Sequence, residues 1–423
     1  MRSKSLLIIF FTVFLDLLGF GIIIPILPYY AERFGASPAV ITLLMASYSL
    51  MQFLFAPVWG RLSDRLGRRP IILLSLAVST GGYILLGLAS SLTLVFVARI
   101  LAGIGNANIP TAQAYVADVT KPEERARGMG LVGMAFGLGF VFGPALGGLL
   151  GGIAIHLPAF AAAALTALDL LLAIVILREP RERGVSPTGQ RGLGANVRAF
   201  IVAIERPNMA ILFALFFLST FAFAQLESTF SLYIEHRFTL HQSVLGPPAP
   251  VAIASPHDGD TQRAAARATG AALFVIGIVS AAVQGGLIGR LARRFGEEPL
   301  VKTGLLLLAL GLAIFPLARS LTLLYPACVV IAAGSGILGP SLQSLLSRHA
   351  PADEQGGTLG LGQSLASLAR VLGPLLGGNL FEHVGIGAPY WIGGLLMLGA
   401  ATLTLRLRPA PGAPGSGRGM LHA

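Results

Sequence analysis

Charge is what this chain has least of. Asp, Glu, Lys and Arg make up 12% of its 423 residues, against about 25% in an ordinary soluble domain. Apolar residues reach 54% and mean hydropathy is +0.77. So much apolar surface cannot be hidden by folding on itself, and the expected solvent is lipid. Cysteine is down to one, Cys328, which excludes a disulfide within the chain and a cysteine metal site. The sequence has no phosphate-binding Walker loop and no HExxH helix, so neither ATP hydrolysis nor a zinc-hydrolase centre is expected. The seven histidines are scattered and no Ser/His/Asp triad can be assembled. No catalytic residue, metal or cofactor is therefore expected, and the chain does not read as an enzyme.

What it does contain is repetition. GRLSDRLGRRP at Gly60 to Pro70 returns, worn, as GRLARRFGEEP at Gly289 to Pro299. PEERARG at Pro122 aligns with PADEQGG at Pro351, and GPALGG at Gly143 with GPLLGG at Gly373. The offsets are 229, 229 and 230 residues, in one order. An internal duplication is the economical reading, and a duplicated membrane unit suggests two halves moving about a central site.

A bilayer core of about 30 Å needs roughly 20 apolar residues per helix. The chain then divides into twelve spans: 5–30, 40–60, 70–90, 92–116, 129–152 and 158–177, then 208–234, 269–291, 299–319, 321–346, 356–381 and 386–406. The expected fold is all-α, two six-helix halves at 1–177 and 208–407. A basic linker (178–207) joins them and a disordered Pro/Gly tail (408–423) follows. The segment 245–269, rich in Pro and Ala, reads as a flexible external insertion without an assigned role. The start, MRSKSLLIIFF, resembles a signal peptide, but its apolar run continues to Tyr30 without a small-residue cleavage site, so it reads as the first span.

Of the 30 Lys and Arg, 23 fall on the side of both termini, 5 on the other side and 2 within spans. The positive-inside rule places both termini in the cytoplasm, in a cell inner membrane or plasma membrane. The same asymmetry accounts for the net charge of +11 without nucleic acid as a partner.

GRLSDRLGRRP between spans 2 and 3 resembles the signature loop of the major facilitator superfamily. FLDLLGFGIIIPILP at Phe14, RILAGIGNANIPTAQAYVAD at Arg99 and GLGFVFGPALGG at Gly137 are similar to segments of its twelve-helix drug:proton antiporters, which include tetracycline and multidrug efflux proteins. The resemblance covers nearly the whole chain. It implies alternating access driven by a proton gradient, and export of lipophilic small molecules, cationic ones among them, by a monomer. Small-molecule substrate, protons and the lipid bilayer are the expected partners. Two departures stand out. Arg293 replaces the acid at Asp64 in the second copy of the loop, and spans 3, 8 and 9 carry no embedded acid, which argues against tetracycline as the dedicated substrate.

Ionisable groups inside a bilayer are costly, so each is a functional candidate. They are Asp16, Arg99, Asp169, Glu227 and Arg370. Asp16 and Arg99 fall at nearly one depth, about 17 Å and about 10 Å in from opposite ends of their spans, so an ion pair is expected, opened when Asp16 takes a proton. Proton coupling is assigned to Asp16, Arg99 and Glu227. Asp169 is the weaker candidate, since span 6 is peripheral in the family fold. Glu227, among Phe221, Phe223 and Phe230, suits a lipophilic cation.

By the resemblance, Gly60, Asp64, Arg65, Gly67, Arg68 and Asp118 form a cytoplasmic gate. Asp64 would dock on the start of span 11 near Gly356, and Arg65 or Arg68 would pair with Asp118. Gly139, Gly143, Pro144, Gly147 and Gly148 make a small-residue face in span 5, where backbones can meet closely. Gln52, Asn106, Gln113, Phe223, Gln225, Gln343, Gln363 and Arg370 are candidate cavity residues. Two other readings stay open: a proton-coupled carrier of a sugar or other polar metabolite, and a receptor on the same scaffold that transports nothing.

Overall fold

The computed structural model describes residues 2–120, 122–179, 205–206, 208–238, 259–350 and 355–407. The side chains of 2–9, 122–131, 355–357 and a few neighbours lie outside that description, as do most of the linker and the tail. The first half contains α1 (Arg2–Ile23), α2 (Leu27–Glu32), α3 (Pro38–Leu66), α4 (Arg68–Gly87), α5 (Leu92–Gly105), α6 (Ile109–Val119), α7 (Pro122–Gly151) and α8 (Leu157–Ile176). The second contains α9 (Met209–Arg237), α10 (Gly259–Ala282), α11 (Ile288–Phe295), α12 (Glu297–Ile314), α13 (Leu321–His349), α14 (Gln355–His383) and α15 (Ala388–Leu403). Among the described residues there is no β-strand.

Each of the twelve expected spans falls on helix. Among the described residues, nine helical rods are long and apolar enough to cross a membrane. The expected first and fifth spans hold shorter apolar helices, Phe10–Ile23 and Gly137–Gly151, and α14 occupies the eleventh. Three rods are interrupted, each for a local reason. The run expected to continue to Tyr30 breaks at residues 24–26, where Pro25 and Pro28 remove helical donors. α5 passes into α6 through a 3-10 turn, Asn106–Asn108, just before Pro110. α10 passes into α11 through a π turn, Val283–Leu287, containing Gly285 and Gly286. The insertion expected to be flexible up to Thr269 is corrected in part. α10 already begins at Gly259, because DTQRAAARA is built from good helix formers. Residues 245–258 lie outside the described residues.

The two GP-x-LGG segments do the same job twice. In α7, a methyl group placed on Gly143 would lie 2.7 Å from Gly21 Cα of α1, and one on Gly148 would lie 2.6 Å from Gly270 Cα of α10. In α14, one on Gly373 would lie 2.9 Å from the Phe221 carbonyl of α9, and one on Gly378 would strike Thr42 of α3. Each segment thus packs closely on one helix of its own half and one of the other, backbone to backbone in α7 and partly against side chains in α14. The halves meet as α7 on α10 and α14 on α3, as a duplication about a pseudo-twofold axis requires.

These crossings lie toward the face opposite the Gly60–Pro70 hairpin. More contacts between the halves gather there. Tyr29 Oη lies 2.9 Å from Thr269 Oγ1 and donates to the Ser231 carbonyl at 3.2 Å. Glu382, at the end of α14, accepts the Ala39 N–H at 2.8 Å and so caps α3. That bond holds the exposed Glu382 carboxyl below its ordinary range. The cap is therefore intact at neutral pH and weakens only as pH falls through that lowered value. Toward the hairpin face, a methyl on Gly60 of α3, Gly289 of α11 or Gly360 of α14 would meet nothing within 4 Å. Among the described residues, the close glycine crossings between the halves gather at the face opposite the hairpin.

Gly148→Leu places a branched side chain where two backbones meet. It is expected to hold the opposite face open. Spin labels on the outer ends of α7 and α10 should report a separation several ångströms longer than in the parent protein, while Glu382→Ala, which loses one exposed cap, shifts it little.

Candidate functional site

Between the halves lies a small cavity of about 30 Å³. α1 and α2 supply Phe20, Ile23, Ile24 and Leu27, α3 supplies Met45 and Ser49, and α5 supplies Arg99. From the second half come Ala224, Glu227 and Ser228 on α9 and Arg370 and Pro374 on α14. The lining, mostly apolar with a few convergent polar groups, is of the kind that receives an amphiphile, though the cavity as it stands is nearly closed. A wider hollow of about 530 Å³ opens beside Arg237, Arg319 and Trp391. It holds none of the intramembrane charges and faces away from the junction of the halves.

Three of the predicted residues, Arg99, Glu227 and Arg370, are brought together here. Arg99 is 2% exposed and lies over the Tyr48 ring, 4.3 Å from its centroid, a cation–π contact that orients it. Its Nε and Nη1 have no hydrogen-bond partner, nor has Glu227 Oε1. Among the described residues no ion pair closes between Glu227 and either arginine.

The expected Asp16–Arg99 pair is not formed. Asp16, 4% exposed, instead accepts from Asn108 Nδ2 at 2.7 Å, and the same amide reaches Ser75 Oγ at 3.2 Å. Similar depth did not bring the two together, because the 3-10 turn at Asn106–Asn108 turns Asn108 toward α1 while Arg99 is drawn to Tyr48. Asp169 on α8 is fully buried and accepts from Thr12 Oγ1 at 3.1 Å. Thr12 and Asp16 stand four residues apart on one face of α1, so one turn of that helix carries Asp16 and the partner of Asp169. Each acid keeps one oxygen without a partner. Among the described residues neither forms an ion pair. The two acids form one polar cluster in the first half, and Asp16 is one helical turn from Phe20 of the cavity.

The polar candidates sort into three groups. Gln52 and Asn106 belong to a network around Tyr48 and Tyr83: Asn106 Nδ2 donates to both hydroxyls, at 3.0 and 2.9 Å, and Gln52 Nε2 donates to the Asn106 carbonyl at 3.1 Å. Gln225 is buried with its side-chain amide unpartnered, and its Oε1 lies near Gly393 of α15. Gln113, Gln343 and Gln363 are exposed, and Phe223 is half-buried against the core.

At the hairpin, Arg68 is the arginine that meets Asp118, Nε to Oδ2 at 3.0 Å. Its Nη2 meets Asp64 at 2.7 Å and its Nη1 donates to Ser63 Oγ at 2.6 Å. Arg65 is exposed. One planar fork thus ties α3, α4 and α6. The docking of Asp64 near Gly356 lies outside the described residues. The second half keeps this tie with its signs exchanged. Glu297, 229 positions after Arg68, pairs with Arg348 at 2.7 Å and accepts from Ser344 at 3.1 Å. Gly67 makes the sharp turn, with φ of 102° and ψ of 156°. Against it lies Glu179, which sequence reasoning missed. Its two carboxylate oxygens accept the Arg68 and Arg69 N–H groups, both at 2.9 Å, and cap α4. Asn108, Thr12 and Ser75 were missed as partners of the acids; the Thr12–Asp16 spacing was the available signal.

Comparison with known proteins follows this geometry. The family model described as Major Facilitator Superfamily matches residues 9–256 and again 257–421. The chain is 34% identical to the tetracycline resistance protein, class C, of Escherichia coli, over 94% of each chain. It is 30% identical to multidrug resistance protein 2 of Bacillus subtilis (strain 168), over 96% of this chain and 95% of that one. Among solved structures, the human organic anion transporter MFSD10 (TETRAN) superposes with a TM-score of 0.69 at 26% identity, covering 95% of this chain and 99% of the other.

Gly67→Ala meets two obstacles, a backbone region almost closed to other residues and a contact at 2.6 Å with Glu179 Oε2. Strain alone costs about 1–3 kcal/mol. The melting temperature of the detergent-solubilised protein should fall by several degrees. Gly67→Ala/Glu179→Ala relieves only the contact, and should not return to the parent value.

Proposed function

Because the chain belongs to the Major Facilitator Superfamily, whose members are membrane transporters, we propose that it exports lipophilic small molecules in exchange for protons. Its relatives at 34% and 30% identity are named for tetracycline and multidrug resistance, which supports export of foreign amphiphiles over uptake of a sugar. The apolar lining from Phe20, Ile24, Leu27 and Met45 supports it as well.

One observation carries the proton coupling: Asp16 and Asp169 are buried in one cluster without a cation. Two bare carboxylates in a dry interior are costly, so the cluster keeps a proton when sealed and can exchange it when one face opens. Asp16 is the carrier in this reading, one turn from the cavity. Glu227 lines the cavity itself, where its charge state sets what can bind. The halves 1–177 and 208–407 rock about the α7–α10 and α3–α14 crossings. Lys and Arg counts support a cytoplasmic hairpin face, with Arg68, Asp64 and Asp118 stiffening that end. The arrangement drawn by the outer crossings is then open to the cytoplasm, ready to take a molecule from inside the cell or inner leaflet. We read the protein as a multi-pass monomer of the plasma or inner membrane that needs no cofactor beyond the proton gradient.

Everted vesicles acidified by respiration provide the test. Adding substrate dyes, chosen from a panel of cationic, neutral and anionic aromatics, should discharge the pH gradient through the parent protein. Asp16→Asn should cut that discharge at least tenfold while dye binding persists. If Asp16→Asn discharges the gradient as fast as the parent, Asp16 is not the carrier. If no dye in the panel does so with folded protein, export by proton exchange is wrong.

A further inference from the structure

The cavity carries more positive than negative charge. Arg99 enters it from the first half and Arg370 from the second, and Glu227 is the one acid among its lining residues. Glu227 closes no ion pair with either of them. Arg99 is held by Tyr48 with Nε and Nη1 bare, though buried donors nearly always find a partner. A guanidinium fork left open beside an apolar wall matches the two oxygens of an acidic group.

We propose that Arg99 and Arg370 together receive an anionic group of the substrate, so that the exported molecule is an apolar body bearing one carboxylate, sulfonate or phosphate. This rests on the export reading above and replaces the cation that Glu227 alone suggested. With Glu227 ionised the three lining charges leave one positive charge over, which a single acidic group balances and a cation would increase. The apolar body lies against Phe20, Leu27 and Met45. Position adds a mechanical consequence. The arginines belong to opposite halves, so one anion that engages both draws the halves together around itself. Occupancy then favours closure of the open face, as alternating access requires. Arg99 also has a second role as a neighbour of Tyr48, so Arg370 is the cleaner probe.

Three probes with one ring system separate the outcomes: pyrenebutyrate, its methyl ester, and a pyrenyl trimethylammonium of matching chain length. Binding to purified protein is read from pyrene fluorescence, and movement from reconstituted vesicles under a proton gradient. The acid is expected to bind at least tenfold tighter than the ester, and the ammonium more weakly than either. Arg370→Gln should bring the acid down to the affinity of the ester, and Arg370→Lys, which keeps the charge, should retain part of the preference. Equal binding of acid and ester, or tightest binding of the ammonium, overturns the anion site while export of the ester would leave the transport reading standing. Preference for the acid without any gradient-driven movement upholds the site and removes the transport reading.

Discussion

Close approach of helix backbones at small residues is the constraint on which the rest of this molecule depends. Between apolar helices in lipid there is no hydrophobic force to draw one to another, so packing quality decides what meets. Gly143 and Gly148 in α7, with Gly373 and Gly378 in α14, allow contacts that a single methyl would block. Gly143 and Gly373 pack each segment within its own half, while Gly148 and Gly378 bring four helices into two crossings that set the halves face to face. The cavity lies at this junction.

Charge is then distributed around that geometry with little to spare. At the hairpin end it stiffens each half separately: Arg68 with Asp64 and Asp118 in one, Glu297 with Arg348 in the other. The exchanged signs show that the duplication preserved a contact rather than a residue. Deeper in, two of the acids are kept apart from the arginines. Asp16 and Asp169 sit in the first half with Asn108 and Thr12, whereas Arg99, Arg370 and Glu227 face the cavity. A proton site and a substrate site one helical turn apart can communicate through α1 without sharing a side chain.

Much of this was legible in the sequence. The all-helical fold and the repeat follow from apolar run length and recurring motifs, which are local, whereas the break near Pro25 divides a run expected to continue to Tyr30. Gly67 as a turn residue and the Arg68–Asp118 tie also followed, from a motif whose parts lie close in the chain or at a helix end. Asp16 with Arg99 failed for a physical reason. Depth along two helices fixes only one coordinate, and rotation of each helix about its axis fixes the other. Tyr48 and the 3-10 turn decided that rotation. Glu179 was missed because an acid in a basic linker carries no periodic signal.

What the sequence by itself determined is the solvent, the repeat and the short roster of buried charges, because hydropathy and side-chain cost act residue by residue. Only the tertiary structure decided which of those charges face one another. That depends on helix rotation and on crossings between residues more than a hundred positions apart, such as Gly148 on Gly270 and Arg99 opposite Glu227, and no local pattern encodes them.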